Sequence, residues 1–266
     1  MGLKRHDYTS TTGKAWHAYY LDGRQVPGVT TILDKTLAKP SLIDWAAAKV
    51  AEAAFDAWEA YEHTGDVTSL FATADELAAV PEQYKRAAAA RGTRVHHAAE
   101  KFLRHGTGGI AAPDIAGYMR AFLDWHREVQ PVPVLIEQSV ANRTWRYAGT
   151  VDLIADIDGV RTLLDFKTGR SLYVEVALQL DAYRNAEIYV DAAGDEQSVA
   201  DLGIEAVQVL HLQDHGGWHV YDLNAGPIVW QVMQHLVWLY HQMKTVQKAD
   251  WIGAPVRSGF AAEVEA

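Results

Sequence analysis

The sequence predicts an α/β protein in which a mixed central sheet is flanked by helices and covered by an N-terminal helical cap. Three observations predict it. The stretch "GTVDLIADIDGVRTLLDFKTG" (149–169) joins two alternating apolar runs through Asp158-Gly159. That pair is a strong hairpin signal, because both residues can take positive φ in a two-residue type I′ turn. Amphipathic blocks with helical spacing stand on both sides of it. The order of elements, helices, then a strand meander, then helix, strand, strand and helix, is that of helices layered on a sheet. A chain of 266 residues with 49% hydrophobic content can bury one substantial core.

From the N-terminus, "WHAYYLDGRQVPGVTTIL" predicts a hairpin turning at Asp22-Gly23. Pro40 and Ser41 start a long amphipathic helix, "KPSLIDWAAAKVAEAAFDAWEAYEH". Its apolar stripe is Leu42, Trp45, Ala46, Val50 and Ala53, with Trp45 expected in the core. A second helical block runs from about Ala74 to Arg104 and breaks near Pro81. "HGTGGIAAPD" reads as a loop, and a helix from about Ile115 to Val129 returns the chain to the sheet. Beyond the Asp158-Gly159 hairpin come the helical "VEVALQLDAYRNAEIYV" and two strands, "IEAVQVLHLQ" and "GWHVYDL", joined at "DHGG". The final helix, "PIVWQVMQHLVWLYHQMKTV", is expected to bury Ile228, Val232, Leu236, Leu239 and Met243. The expected division is 1–89 for the N-terminal hairpin and helical cap, 90–252 for the core and 253–266 for a flexible tail, all in one compact unit.

The turn sets the register. With Ile157 opposite Val160, Asp156 meets Arg161 as an ion pair, Ile154 meets Leu163, and Asp152 meets Asp165. Lys167 shares the aspartate face. The other face, Val151, Leu153, Ala155 and Ile157 against Val160, Leu164 and Phe166, reads as core. Opposed carboxylates repel, and both ionise only if a cation or proton lies between them. A hard divalent cation removes the conflict, since Mg²⁺ takes one or two carboxylates and completes its shell with waters and substrate phosphate. With Lys167 to orient or help deprotonate the attacking water, the set reads as metal-assisted phosphodiester hydrolysis. The alternative is a solvated hairpin face on which charges have accumulated.

"GTVDLIA" is followed, thirteen residues on from its aspartate, by "DFKTG" and then by "LQLDAYR"; upstream stands "RGTRVHHAAEKF". Together these resemble the PD-(D/E)XK nuclease superfamily, in particular its RecB-type branch of phage exonucleases and CRISPR-associated adaptation nucleases. The likeness covers roughly residues 90–185, with four motifs in the family's order. It implies a restriction-endonuclease-like core, one or two Mg²⁺ or Mn²⁺ ions held by His96, Asp152, Asp165 and the Phe166 carbonyl, and Lys167 as the catalytic lysine. Read from the residues, His96 and Glu100 share a helical face at i, i+4, and a lone helix histidine is otherwise a surface or satisfied core residue. Glu100 is expected behind the ligands rather than among them. Glu137 either serves a second metal or its water, or is an exposed strand glutamate. Gln179 and Tyr183 match the family's Q-x-x-x-Y. Gln179 is expected to reach a phosphate or the attacking water, with a helix cap as the alternative. Tyr183 is expected to contact or stack on DNA, with a core tyrosine as the alternative. Arg94 and Arg170 are expected to contact DNA. Gly92 either permits close packing or marks the start of its helix.

Composition bounds this reading. The chain has no cysteine, which excludes disulfides, thiolate zinc sites and the iron-sulfur cluster of many relatives of that branch. It carries no phosphate loop, H-E-x-x-H, G-x-S-x-G or dinucleotide fingerprint. No signal peptide and no long apolar run is present, so a soluble protein without a membrane partner is expected, in the cytoplasm of a bacterium or phage-infected host. The net charge of −10 opposes long-range attraction to DNA. Basic residues nevertheless gather near the motifs, Lys85, Arg86, Arg91, Arg94, Lys101 and Arg104 upstream and Arg143, Arg146, Lys167 and Arg170 around the hairpin, where they either line a local positive channel or belong to an ordinary mixed-charge surface. The expected activity is a Mg²⁺- or Mn²⁺-dependent deoxyribonuclease. It is read as an exonuclease at DNA ends in recombination, repair or phage replication, with a single-strand annealing or recombination protein as candidate partner. The alternatives are an endonuclease or nickase on the same core, and a noncatalytic DNA-binding or scaffold subunit that retains the fold.

Overall fold

In a computed structural model, the structure describes residues 2–9, 11, 15–70, 73–107, 112–223, 226–248 and 251. The expected tail, 253–266, and residues 108–111 of the expected loop lie outside these residues. The chain opens with β1 (Leu3–Thr9), β2 (Ala15–Leu21) and β3 (Arg24–Val26), an antiparallel three-stranded sheet. Asp22 and Gly23 turn β2 into β3 with φ of 50° and 78°, as a type I′ turn requires. The helices α1 (Val29–Thr36), α2 (Pro40–Thr64), α3 (Ala74–Ala78), α4 (Val80–His105) and α5 (Ala116–Val129) follow. A capping box of Thr73 and Glu76 starts α3, and Pro81 sits in the first turn of α4, where its missing N–H is harmless.

The central sheet is built from β4 (Val132–Asn142), β5 (Tyr147–Ile157), β6 (Val160–Lys167), β7 (Ile188–Val190), β8 (Glu196–Ser198), β9 (Ala206–Leu212) and β10 (Trp218–Asp222). Helix α6 (Val174–Arg184) follows β6, and α7 (Pro227–Lys248) closes the fold. The strand order is β10-β9-β6-β5-β4-β7-β8, with β6 and β9 parallel and the other pairs antiparallel. The β5–β6 hairpin therefore lies in the middle of a mixed, mostly antiparallel sheet. Its turn has Asp158 at φ 51° and Gly159 at φ 82°, and the expected register holds from Ile157↔Val160 to Leu153↔Leu164. The ladder stops there. Asp152 and Asp165 follow its last pair instead of forming one, because the Asp152 carboxylate accepts the Phe166 amide at 2.7 Å while β6 continues along β9.

Helices cover both faces. Ile154 and Leu163 pack with residues of α1, α6 and α7, including Ile32, Leu180 and Met233. Leu153, Leu164 and Phe166 pack with Val95 of α4 and with Phe122 and Trp125 of α5. The aspartate side of the hairpin is thus as buried as the side expected to be core. Val151 joins Ile154 rather than Leu153, and Val160 at the turn is exposed.

Two expectations about helices are corrected. In α7 the fully buried residues are Met233 and Val237, with Leu236 partly buried, whereas Ile228, Val232, Leu239 and Met243 are exposed. The helix is apolar around most of its circumference, so more than one phase satisfies helical spacing. In α2 no residue is buried: Leu42 is exposed and Trp45 half-buried, with the Lys85 ammonium 5.9 Å from its ring. This helix packs on α4 rather than on the sheet, so its stripe is only partly covered. The small sheet, by contrast, rests Leu3, Tyr19, Leu21 and Val26 on Ala141 and Ala148 of the central one. Residue 89 lies inside α4, and no chain boundary falls there. Among the described residues, no helix is long and apolar enough to cross a membrane.

Candidate metal centre

Three strands and helices that are distant in sequence bring His96, Glu137 and Asp152 together. Val95 and Ala99 are fully buried against the sheet, which fixes the roll of α4 and turns His96 toward β5. Its Nδ1 lies 3.2 Å from Asp152 Oδ1 and 3.9 Å from Glu137 Oε1, and its ring meets the edge of Phe166 with centroids 5.9 Å apart. One ligand atom from each of the three residues lies within 4.8 Å of the others. Glu137 reaches the cluster from an unusual backbone. In the middle of β4 it has φ 47°, a left-handed conformation that costs a non-glycine residue of order 1–2 kcal/mol.

β6 and α6 build the adjoining half. Lys167 Nζ is 2.7 Å from Asp165 Oδ2. Gln179 uses both ends of its amide, since Oε1 accepts from Lys167 Nζ at 3.3 Å while Nε2 donates to Asp165 Oδ1 at 3.2 Å and to the Tyr183 hydroxyl at 3.1 Å. One helical turn separates Gln179 from Tyr183, which is why a single helix can present both. Gly149 makes this packing possible: a Cβ there would fall 2.2 Å from Tyr183 Cε1.

Charge compensation within the protein is extensive. Burial opposes the His96 cation, but Asp152, Asp165 and Glu137 outweigh it and push its pKa up to about 9. Burial, reinforced by the Asp152 charge, pushes Glu137 up to about 7. Burial also works against the Asp152 carboxylate, yet His96, Lys167 and the Phe166 amide hold it below the usual range. Burial raises Asp165 despite Lys167 beside it, and Lys167 is raised by its two aspartates against the pull of burial. Asp152 and Asp165, expected to repel one another directly across the ladder, are thus compensated from within the chain. His96 and Lys167 already answer that repulsion.

The other expected residues divide. Phe166 enters the site through its amide, with its ring in the core. Glu100 stands one turn from His96 and bonds Arg104 at 2.8 Å, behind the cluster. Tyr183 is corrected from a DNA contact to a core tyrosine: it is 4% exposed, and its hydroxyl is taken by Gln179. The Arg94 guanidinium is ion-paired with Asp114, and both side chains are about half exposed. Arg170 is exposed and makes no ion pair among the described residues. Gly92 lies inside α4, where a Cβ would stand 3.4 Å from Thr168 Oγ1, just beyond Lys167. Of the ten cations expected to line a positive channel, Arg86, Arg94, Arg104, Arg143 and Lys167 pair with carboxylates. Arg5 and Tyr19 were missed by sequence reasoning. The Arg5 guanidinium and the Tyr19 hydroxyl both meet Thr150 Oγ1, at 3.1 and 2.9 Å, two residues before Asp152. No local pattern announces a contact made from the first hairpin to a strand so far along the chain.

The donor set suits a divalent cation. Carboxylate oxygens are the ligands of Mg²⁺ and Mn²⁺, and an imidazole shifts the preference toward the transition ions. Asp165 Oδ2 is buried and receives no well-aligned hydrogen bond, so it retains acceptor capacity beside the cluster. Neither the protein-family models nor the curated proteins compared with this chain give a match.

Proposed function

We propose that the protein is a metal-dependent deoxyribonuclease of the PD-(D/E)XK type, acting on DNA ends. The observation that carries the reading is the adjacency, at one end of the β5–β6 hairpin, of the His96–Glu137–Asp152 donor cluster and the Asp165–Lys167–Gln179 clamp. His96, Asp152 and Asp165 would hold Mg²⁺ or Mn²⁺, with Glu137 completing the set. Bound there, the ion supplies positive charge to polarise a scissile phosphate and to stabilise the leaving oxygen. Lys167 brings an ammonium group that orients the attacking water and balances charge on the phosphorus. Gln179 is a positioning residue, since it holds the carboxylate and the ammonium at once, and Tyr183 fixes Gln179 in turn. Arg170, exposed just past Lys167, is available to a phosphate of the substrate strand.

An endonuclease or nickase would use the same groups, and a noncatalytic DNA-binding subunit would keep the fold without turnover. End-labelled linear DNA and covalently closed circular DNA, each incubated with Mn²⁺ or EDTA, separate the three. Release of label from linear DNA alone, dependent on metal and lost in Asp165→Asn, is the expected result. Cutting of the circle would assign the endonuclease mode. Binding without any metal-dependent cleavage would overturn the enzymatic reading.

A further inference from the structure

The two faces of the small N-terminal sheet differ in chemistry. Register places Arg5 opposite Tyr19 and Leu3 opposite Leu21 on the inner face, which packs on the central sheet and reaches Thr150. Lys4 opposite Tyr20, His6 opposite Ala18 and Tyr8 opposite Trp16 lie on the outer face, where β3 adds Gln25 beside Tyr20. The outer rings form a continuous row. Tyr20 meets His6 edge-on with centroids 5.2 Å apart, His6 lies 6.4 Å from Tyr8, and Tyr8 stacks on Trp16 at 4.2 Å. Lys4, His6 and Trp16 are exposed, Trp16 to 50%, and both tyrosines are half-buried.

We propose that this outer face is a binding platform for single-stranded DNA, which deepens the nuclease reading by naming its substrate as a strand with unstacked bases. Two features select this occupant over an apolar partner. Every base offers a π-face to an aromatic side chain, so a row of rings on a sheet binds single strands with little sequence preference. Among the described residues the face also carries a lysine and a histidine and no carboxylate, on a protein whose net charge is −10, so its charge complements phosphate. The row extends about 14 Å along the strands, room for two or three bases. Position supports it too, because the same hairpin contacts Thr150 beside Asp152 with its inner face.

The test measures binding without cleavage. A fluorescein-labelled dT20 oligonucleotide is titrated with the full-length protein in EDTA and followed by anisotropy, beside a blunt hairpin duplex of equal charge. The wild type is expected to prefer dT20. Trp16→Ala should weaken it at least ten-fold. Lys4→Glu combined with His6→Glu changes only exposed side chains and should do the same with an unaltered circular dichroism spectrum. Metal-dependent cleavage is read in a separate assay, and its absence from the wild type with Trp16-dependent binding intact would sink only the nuclease reading. Absence of dT20 binding, equal affinity for duplex, or affinities of both face variants within two-fold of wild type would overturn the platform.

Discussion

His96 and Glu137 carry protons that a metal ion would have to displace, and this gives the site a pH signature. His96 has a folded pKa of about 9 against an ordinary 6.5, so its stabilising contribution is complete below 6.5 and is lost as pH rises through about 9. Glu137, at about 7 against 4.5, also binds its proton more tightly when folded, so it withdraws stability as pH rises from 4.5 to 7. Both act in one direction. In EDTA the melting temperature should therefore fall as pH is raised from 5 to 9, and saturating Mn²⁺ should oppose the fall because deprotonated donors bind it. A metal-free melting temperature that climbs over that range would contradict the assigned proton positions. His96→Ala should lower Mn²⁺ affinity at least ten-fold by calorimetry, with the circular dichroism spectrum unchanged; an unaltered titration would return His96 to an ordinary helix residue. Asp165→Asn strands the Lys167 ammonium without its carboxylate. The structure therefore predicts a loss of about 1–3 kcal/mol in EDTA, read as a lower melting temperature, and not the relief that two bare opposed aspartates would have implied.

At the scale of elements, legibility followed how local the determining interaction is. The Asp158-Gly159 turn dictates its own φ angles, so the register of β5 and β6 could be derived to Leu153↔Leu164. The helix that carries Gln179 and Tyr183, and the break before Pro81, were equally local in their signals. Which side of α7 is buried was not, because the helix is apolar on several sides and its packing on α1 and α6 chooses among them. The left-handed turn at Glu137 and the Arg5–Thr150 contact had no sequence signal at all, since both are imposed by packing between distant strands. Gly149 shows how such packing can be tested. Gly149→Ala drives a methyl group into the Tyr183 ring, and the clash can be relieved only by displacing α6. Overpacking of this kind costs about 1–3 kcal/mol, or roughly 2–4 °C per kcal/mol for a chain of this size. Because α6 also carries Gln179, the variant should lose hydrolysis beyond what its melting temperature explains. Wild-type turnover in a destabilised Gly149→Ala protein would show that the Gln179 clamp does not depend on this contact.

For the whole molecule, the question is how a protein of net charge −10 holds a polyanion. The sequence gathers ten cations around its motifs, from Lys85 to Arg170. If all ten met phosphates of a single strand, the logarithm of the binding constant would fall against that of salt with a slope of about −7. The structure removes half of them from that role. Arg86, Arg94, Arg104, Arg143 and Lys167 each already hold a carboxylate. Lys85 lies over Trp45 and Arg91 over Tyr118, which leaves Lys101, Arg146 and Arg170 of the ten, with Lys4 on the aromatic face, as the exposed contributors. With about four phosphates neutralised, the slope for dT20 should be about −3, and the affinity that remains at high salt should come from stacking. Titrations in EDTA from about 50 to 300 mM NaCl measure it directly. A slope of about −3 that persists in Trp16→Ala, with the whole curve displaced to weaker binding, is the expected pair of results, because removing a ring changes stacking and not charge. A slope of −5 or steeper would mean that the internal ion pairs open to make a basic channel after all, and the aromatic face would then be secondary to it.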